Sequence, residues 1–147
     1  MSDYSYAANL IASFESYAPV AHWDVNAYRL GYGSDTEGPE QRHVTHGMTT
    51  TKARAAANLE RRIPAYAGEI VAQVGEHAWS KIPKQAQGAL LSVAYNYGHL
   101  PVDVAQAVAR GASLSSIAAE VFAHRHDNHG VNLSRREKEA AIIRSGK

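Results

Sequence analysis

The amino-acid sequence predicts an α+β fold that is mostly α, and three observations predict it. Apolar residues recur at helical spacing in separate segments through most of the chain. One stretch, Trp23 to Gly47, instead carries strand-like runs broken by Gly, Pro and Asp. The length of 147 residues suits one domain, and a domain of that size buries roughly 68–70% of its unfolded surface, enough for a core without disulfides or a structural metal.

Leu10, Ile11, Phe14 and Tyr17 form the first helical stripe, with Ser2 or Asp3 as the cap. Glu15 falls at the C-terminal end of that helix, and Pro19 blocks its continuation. Tyr28 to Gly33 reads as a short strand, followed by a turn region and a return strand over Gln41 to His46. The pair makes a small β-hairpin. Thr49 or Thr50 caps a helix running through Arg62, and a second segment covers Ala65 to Val74. Pro83 opens a helix with Ala86, Ala89, Leu90, Val93 and Tyr97 on one face, closed by Gly98. Pro101 begins a short helix ending at Gly111, and Ser113 caps the next, which buries Leu114, Ile117, Ala118, Val121 and Phe122. His124 to Gly130 is a polar, histidine-rich loop. Ser134-Arg-Arg-Glu137 reads as a capping box for the last helix.

Composition narrows the function. There are no cysteines, so disulfides and thiolate metal sites are excluded. Fifteen basic and 14 acidic side chains leave a net charge of +1, and no basic run suggests a nucleic-acid footprint. The N-terminus has no charged and apolar signal-peptide pattern, and no apolar run approaches the ~20 residues that span a bilayer. A soluble, unsecreted monomer without stable membrane insertion is therefore expected.

Glu15 is the most promising chemical group. Glycosidic hydrolysis uses two carboxyl groups flanking the bond, one protonated to donate to the leaving oxygen and one to stabilise, attack or activate water. An apolar setting keeps the donor protonated, and Glu15 lies between Phe14 and the Tyr17/Pro19 turn. The second carboxylate is either Asp24, nine residues on, or Asp35 in the hairpin turn. Taken alone, a glutamate at a helix end is usually a solvated surface residue, and an aspartate before a strand usually closes a turn.

Phe14-Glu15, Asp24 and Arg29-Leu-Gly-Tyr-Gly33 together resemble the phage lysozymes, glycoside hydrolase family 24. That family has Glu at the end of its first helix, Asp nine residues later, then a Thr-Ile-Gly-Tyr-Gly-His-like strand. Gly47-Met-Thr-Thr resembles the turn into the family's long linking helix. Ser92-Val-Ala-Tyr-Asn-Tyr-Gly98 resembles the end of its core helix, and Leu133-Ser-Arg-Arg-Glu-Lys-Glu139 resembles its C-terminal helix. The resemblance implies one lysozyme-like domain over residues 1–147, with a small hairpin lobe at about 15–50 joined by a long helix to a helical lobe at about 65–147, on which the N-terminal helix packs.

It also implies roles. Glu15 would be the general acid, Asp24 the second carboxylate, and Arg136 a partner that pairs with Glu15. Asn96 would hydrogen-bond the saccharide, while Gly31 and Gly33 would let the strand backbone approach the sugar. Three departures bear on this assignment: the Asp24-to-Gly31 interval is one residue shorter than is usual in the family, Arg29 stands where the family carries a threonine that positions water, and Ser34 stands where it carries His. Either Asp24 keeps its role with a substitute hydroxyl, or the carboxylate and hydroxyl are Asp35 and Thr36; Thr45 is another candidate water-positioning hydroxyl, and Ser34 is read as a substrate-binding residue.

The implied substrate is the peptidoglycan glycan strand, cut between N-acetylmuramic acid and N-acetylglucosamine with inversion and without a cofactor. An endolysin of this kind waits in the host cytoplasm for a holin-type lesion; a virion-associated lysozyme is the other setting. Two rival readings stand. Glu15-Ser and Ala94-Tyr-Asn-Tyr-Gly98 also resemble lytic transglycosylases, although no Gly-Leu-Met-Gln-like segment lies between them. A non-catalytic wall-binding or virion protein could keep the fold alone. A zinc amidase is disfavoured, because His43 and His46 point to opposite strand faces and His124, His126, His129 and Asp127 lack a helical ligand pair. Trp23 and Trp79 are read as packing residues rather than sugar platforms.

Overall fold

A computed structural model describes residues 4–147. The chain divides into two compact units, Met1–Pro64 and Ala65–Lys147. The architecture is the expected one in kind: an N-terminal helix, small β-hairpins, then a run of helices.

In the first unit, α1 spans Ser5–Phe14 and buries Ala7, Ala8 and Ile11, so the stripe centres one turn earlier than Leu10 and Phe14, which are half-buried. The proposed caps Ser2 and Asp3 lie outside the described residues; Tyr4 holds the N-cap position. The helix stops at Glu15, whose backbone turns extended (φ −91°, ψ 140°) while its N–H still reaches the Ile11 carbonyl at 3.0 Å.

The hairpin differs from the expected one. The strand β2, Ala27–Gly31, pairs antiparallel with β1, Ala18–Asp24, and not with residues 41–46. Trp23 faces Tyr28, and Asp24 faces Ala27 across a tight turn. On its other side β1 meets residues 48–50: Val20 bridges to Thr49, and the Thr50 N–H reaches the Pro19 carbonyl at 2.9 Å. Pro19 is tolerated because only its carbonyl is used. Of the expected return strand, only β4, Arg42–His43, is extended, paired with β3, Thr36–Glu37.

Gly31 marks a tight approach. It has φ +63°, and a Cβ there would lie 2.9 Å from the Cβ of Ala55. Left-handed backbone and the contact both exclude a larger residue. Gly31→Ala should therefore destabilise the protein by about 1–3 kcal/mol, read as a lower midpoint in urea with an unchanged slope. A midpoint equal to wild type would show that the strand shifts freely.

The helix α2 runs unbroken over Lys52–Val74 with Pro64 inside it, where two segments had been expected. Its buried residues Leu59, Ile63, Ala67, Ile70 and Val74 form one stripe across the proline, which is itself exposed. Burial along that stripe outweighs the lost backbone bond, about 3 kcal/mol. Thr51, rather than Thr49 or Thr50, caps it, accepting from the Arg54 N–H at 3.2 Å.

In the second unit, α3 (Glu76–Ser80) is an extra turn, and α4 (Lys84–Tyr97) begins after Pro83 and ends at Gly98 in a left-handed cap (φ 89°). Then come α5 (Val102–Ala109), α6 (Leu114–Ala123) and α7 (Leu133–Arg144). Ser113 caps α6 as expected, accepting from the Ser116 N–H at 3.1 Å. The capping box at Ser134 does not form: Asn132 holds the N-cap position without a side-chain bond, and Ser134 lies inside the first turn. Helix α7 packs against both α4 and α6. Among the described residues, no helix is long and apolar enough to cross a membrane.

Candidate active site

In the first unit, α1 delivers Glu15 at the point where helix gives way to extended chain, and leaves it half-buried. Asp24 is the last residue of β1, with its side chain 54% exposed. The turn after it is tight: Val25 is left-handed at φ 55°, and the Asn26 N–H reaches the Asp24 carbonyl at 2.6 Å. Arg29, one strand across, places its Nε 3.7 Å from Asp24 Oδ2 and donates at 3.4 Å to the Gly33 carbonyl. Arg29 is thus a loose cationic neighbour of Asp24.

Asp35 is held more firmly. Its carboxylate accepts from Arg62 at 3.1 Å. Thr36, its proposed hydroxyl partner, donates to Gln41 Oε1 at 2.6 Å, and its carbonyl accepts from Asn58 at 2.8 Å. Gln41 in turn donates to Asn58 at 2.9 Å and to the Gly38 carbonyl at 2.6 Å, with its backbone at φ 50°. This network fastens the β3–β4 hairpin to α2. Its core residue, Asn58, is buried at 1% exposure and did not stand out in the sequence. The only hint was a polar residue on the side of an otherwise apolar helix stripe.

The other strand residues divide. Gly31 is buried and shaped by Ala55, which accounts for its glycine without a sugar. Gly33 is left-handed at φ 86°. Ser34 exchanges two backbone hydrogen bonds with Leu30, at 2.9 and 3.0 Å, and is 2% exposed. Its side chain therefore presents little surface in this structure. Thr45 is exposed.

Trp23 departs from its expectation as a packing residue. It is 61% exposed and meets Tyr28 edge-on at 5.3 Å, and Tyr28 meets His46 in the same way at 5.8 Å.

In the second unit, Asn96 and Arg136 lie together. Arg136 Nη1 donates to Asn96 Oδ1 at 2.9 Å, and its guanidinium stacks 5.0 Å from the Tyr97 ring centre. Arg136 is fully buried and also binds Glu139, through Nε at 2.5 Å and Nη2 at 3.1 Å. Arg135 donates to the same Glu139 and to Ser92, whose hydroxyl donates to Glu139 at 2.5 Å. Charged groups are buried at tolerable cost only when paired and hydrogen-bonded in this way. Ser92, Arg135 and Glu139 were part of the sequence motifs, but nothing in their spacing announced a shared buried cluster.

Comparison with known proteins adds three findings. The sequence profile of the family described as phage lysozyme matches residues 12–139. No curated protein matches the chain. Several solved structures share its fold. It is similar to the active form of P1 phage endolysin Lyz at TM-score 0.72 and 19% identity, over 96% of this chain and 84% of that one. An endolysin from Escherichia coli O157:H7 phage FAHEc1 aligns at TM-score 0.68 and 21% identity, over 97% and 93%. The muramidase domain of SpmX from Asticaccaulis excentricus aligns at 0.72 and 19%, over 93% of each.

Proposed function

Because the chain belongs to the phage lysozyme family, we propose that it is a muramidase that hydrolyses the β-1,4 bond between N-acetylmuramic acid and N-acetylglucosamine in peptidoglycan. The observation that carries this reading is Glu15: a half-buried glutamate at the break between α1 and extended chain, inside the matched region. In the proposed reaction, protonated Glu15 gives its proton to the leaving glycosidic oxygen as the C1–O bond breaks. Water adds to C1 from the opposite face and releases its proton to the second carboxylate, so the anomeric configuration inverts.

Asp24 is the better candidate for that carboxylate. Among the described residues, its oxygens meet Arg29 at 3.7 Å, whereas Asp35 is engaged by Arg62 at 3.1 Å and the Thr36 hydroxyl donates to Gln41. A group that orients water needs accessible lone pairs. Asp24→Asn should lower lytic activity by about 10²–10⁴-fold, and Asp35→Asn by less than about tenfold. The reverse order would move the role to Asp35 and Thr36. Asn96 and Arg136 are proposed to serve saccharide binding, Asn96 by direct hydrogen bonding and Arg136 by fixing the amide of Asn96.

In biological terms the reading is a phage endolysin. It would be held in the host cytoplasm and given access to the wall by a holin-type partner, with no cofactor. Mass spectrometry of digested peptidoglycan tests the chemistry. Reducing N-acetylmuramic acid ends are expected, and 1,6-anhydro ends would replace the hydrolase by a lytic transglycosylase.

A further inference from the structure

Away from those carboxylates, His124 caps the C-terminus of α6 and opens a 3-10 segment, His124–Gly130. The segment is not regular. Asn128, His129 and Gly130 stand in succession at φ 53°, 60° and 75°, left-handed backbone that residues other than Gly, Asn and Asp adopt reluctantly. Such a segment keeps its shape only where its surroundings hold it.

What holds it is an imidazole between two carboxylates. His124 Nε2 lies 2.8 and 2.9 Å from the two oxygens of Asp103 on α5, and Nδ1 lies 2.7 Å from Asp127 Oδ2 within the segment. The same Asp127 oxygen accepts from the Tyr97 hydroxyl at 2.8 Å, which adds the end of α4. A neutral imidazole donates from one nitrogen only and would aim the lone pair of the other at a carboxylate. An imidazolium satisfies both partners.

We propose that Asp103, His124 and Asp127 form a pH-sensitive clasp, which fastens the 124–130 segment to α5 and α4 while His124 is protonated and releases it when that proton is lost. The clasp lies wholly within the second unit and does not depend on the catalytic reading.

The charges around His124 support this assignment. Burial disfavours the imidazolium, but hydrogen bonds and charge from Asp103 and Asp127 outweigh it, and the pKa is raised above the usual histidine value. The C-terminus of α6 favours a cation as well. On α4, Tyr97 is the titratable neighbour. Its own pKa is raised, first by burial and then by its bond to Asp127. From α7, Arg136 acts on Asp127 and Tyr97. On the segment itself, Arg125 stacks over the Phe122 ring at 4.0 Å, while His126 and His129 are exposed. Glu120 stands one turn earlier on α6.

The pH window has two edges. Because the folded pKa of His124 is raised, the clasp is complete below the unfolded value and fails as pH rises through the folded one. Asp127 is lowered, chiefly by its bond to His124, so its contribution is lost as pH falls through that depressed value.

NMR titration of His124 in the wild-type protein, from about pH 5 to about pH 9, is the direct test. A midpoint above the ordinary ~6.5 is expected, and a midpoint at or below it overturns the clasp. Hydrogen exchange, corrected for intrinsic pH dependence, supplies the second readout. Protection of the 124–130 amides should fall across the His124 midpoint while the buried α4 amides stay protected. In Asp103→Asn both the midpoint and the loss of protection should move to lower pH. Protection that ignores the His124 titration would overturn the proposal even if the midpoint is raised.

Discussion

Replacing Glu15 by Gln is expected to abolish lysis of permeabilised Gram-negative cells while the protein stays folded. The substitution preserves size and removes only the acid. Its backbone N–H closes α1 on the Ile11 carbonyl at 3.0 Å, a bond that glutamine keeps. General acid catalysis contributes about 10²–10⁴-fold, so turbidity should fall with wild type and stay flat with the variant over the same interval. An unchanged circular dichroism spectrum would separate lost chemistry from lost fold. Equal lysis by both proteins would reject the mechanism. Absence of lysis by wild type itself would favour a wall-binding protein that keeps only the fold.

Glu139→Gln should have the largest effect on stability. The carboxylate has no exposure, and two guanidiniums and a serine hydroxyl converge on it. Glutamine fits the space, but it withdraws the shared negative charge and turns an NH₂ group toward donors. Removing one partner from a buried pair costs about 3–5 kcal/mol, because the cations remain in a medium that solvates them poorly. For a chain of this length the midpoint of thermal unfolding should drop on the order of 10 °C. Differential scanning calorimetry would measure it, and a shift below about 2 °C would mean that water replaces the lost carboxylate. The same cluster carries Asn96 through Arg136, so residual lysis by the variant should fall further than stability alone accounts for.

The helices of the second unit were legible because their signals agree. In α4, proline before the first turn, apolar residues on one face and glycine at the left-handed cap all specify the same bounds. The first unit was harder for physical reasons. Strand β1 is exposed along most of its length, with only Ala18 and Ala21 half-buried, so it lacks the alternation that a half-buried strand writes into its sequence. Pro19 reads more readily as a helix stop than as an edge-strand residue. At Pro64 the local rule was overruled by the stripe from Leu59 to Val74, which continues across it and could have been weighed against it.

For the candidate site, Glu15, Asp24 and Arg136 could be picked out because a motif flags each of them in order along the chain. Other buried polar residues could not. Glu139, Ser92 and Asn58 owe their importance to contacts between distant segments, as when Ser92 meets Glu139 across 47 positions. Sequence spacing carries no trace of such pairings. The clasp at His124 was hidden for the same reason: a histidine-rich run looks like solvated loop until Asp103 arrives from another helix.

The exposed Trp23 has a practical consequence. The chain has two tryptophans, and they report from different surroundings. Trp23 sits at 61% exposure on the β1–β2 hairpin of the first unit, while Trp79 is half-buried in α3 of the second. Fluorescence therefore carries two optical channels without any label. A collisional quencher reaches the first indole far more readily than the second, so events on the hairpin can be followed separately from melting of the helices.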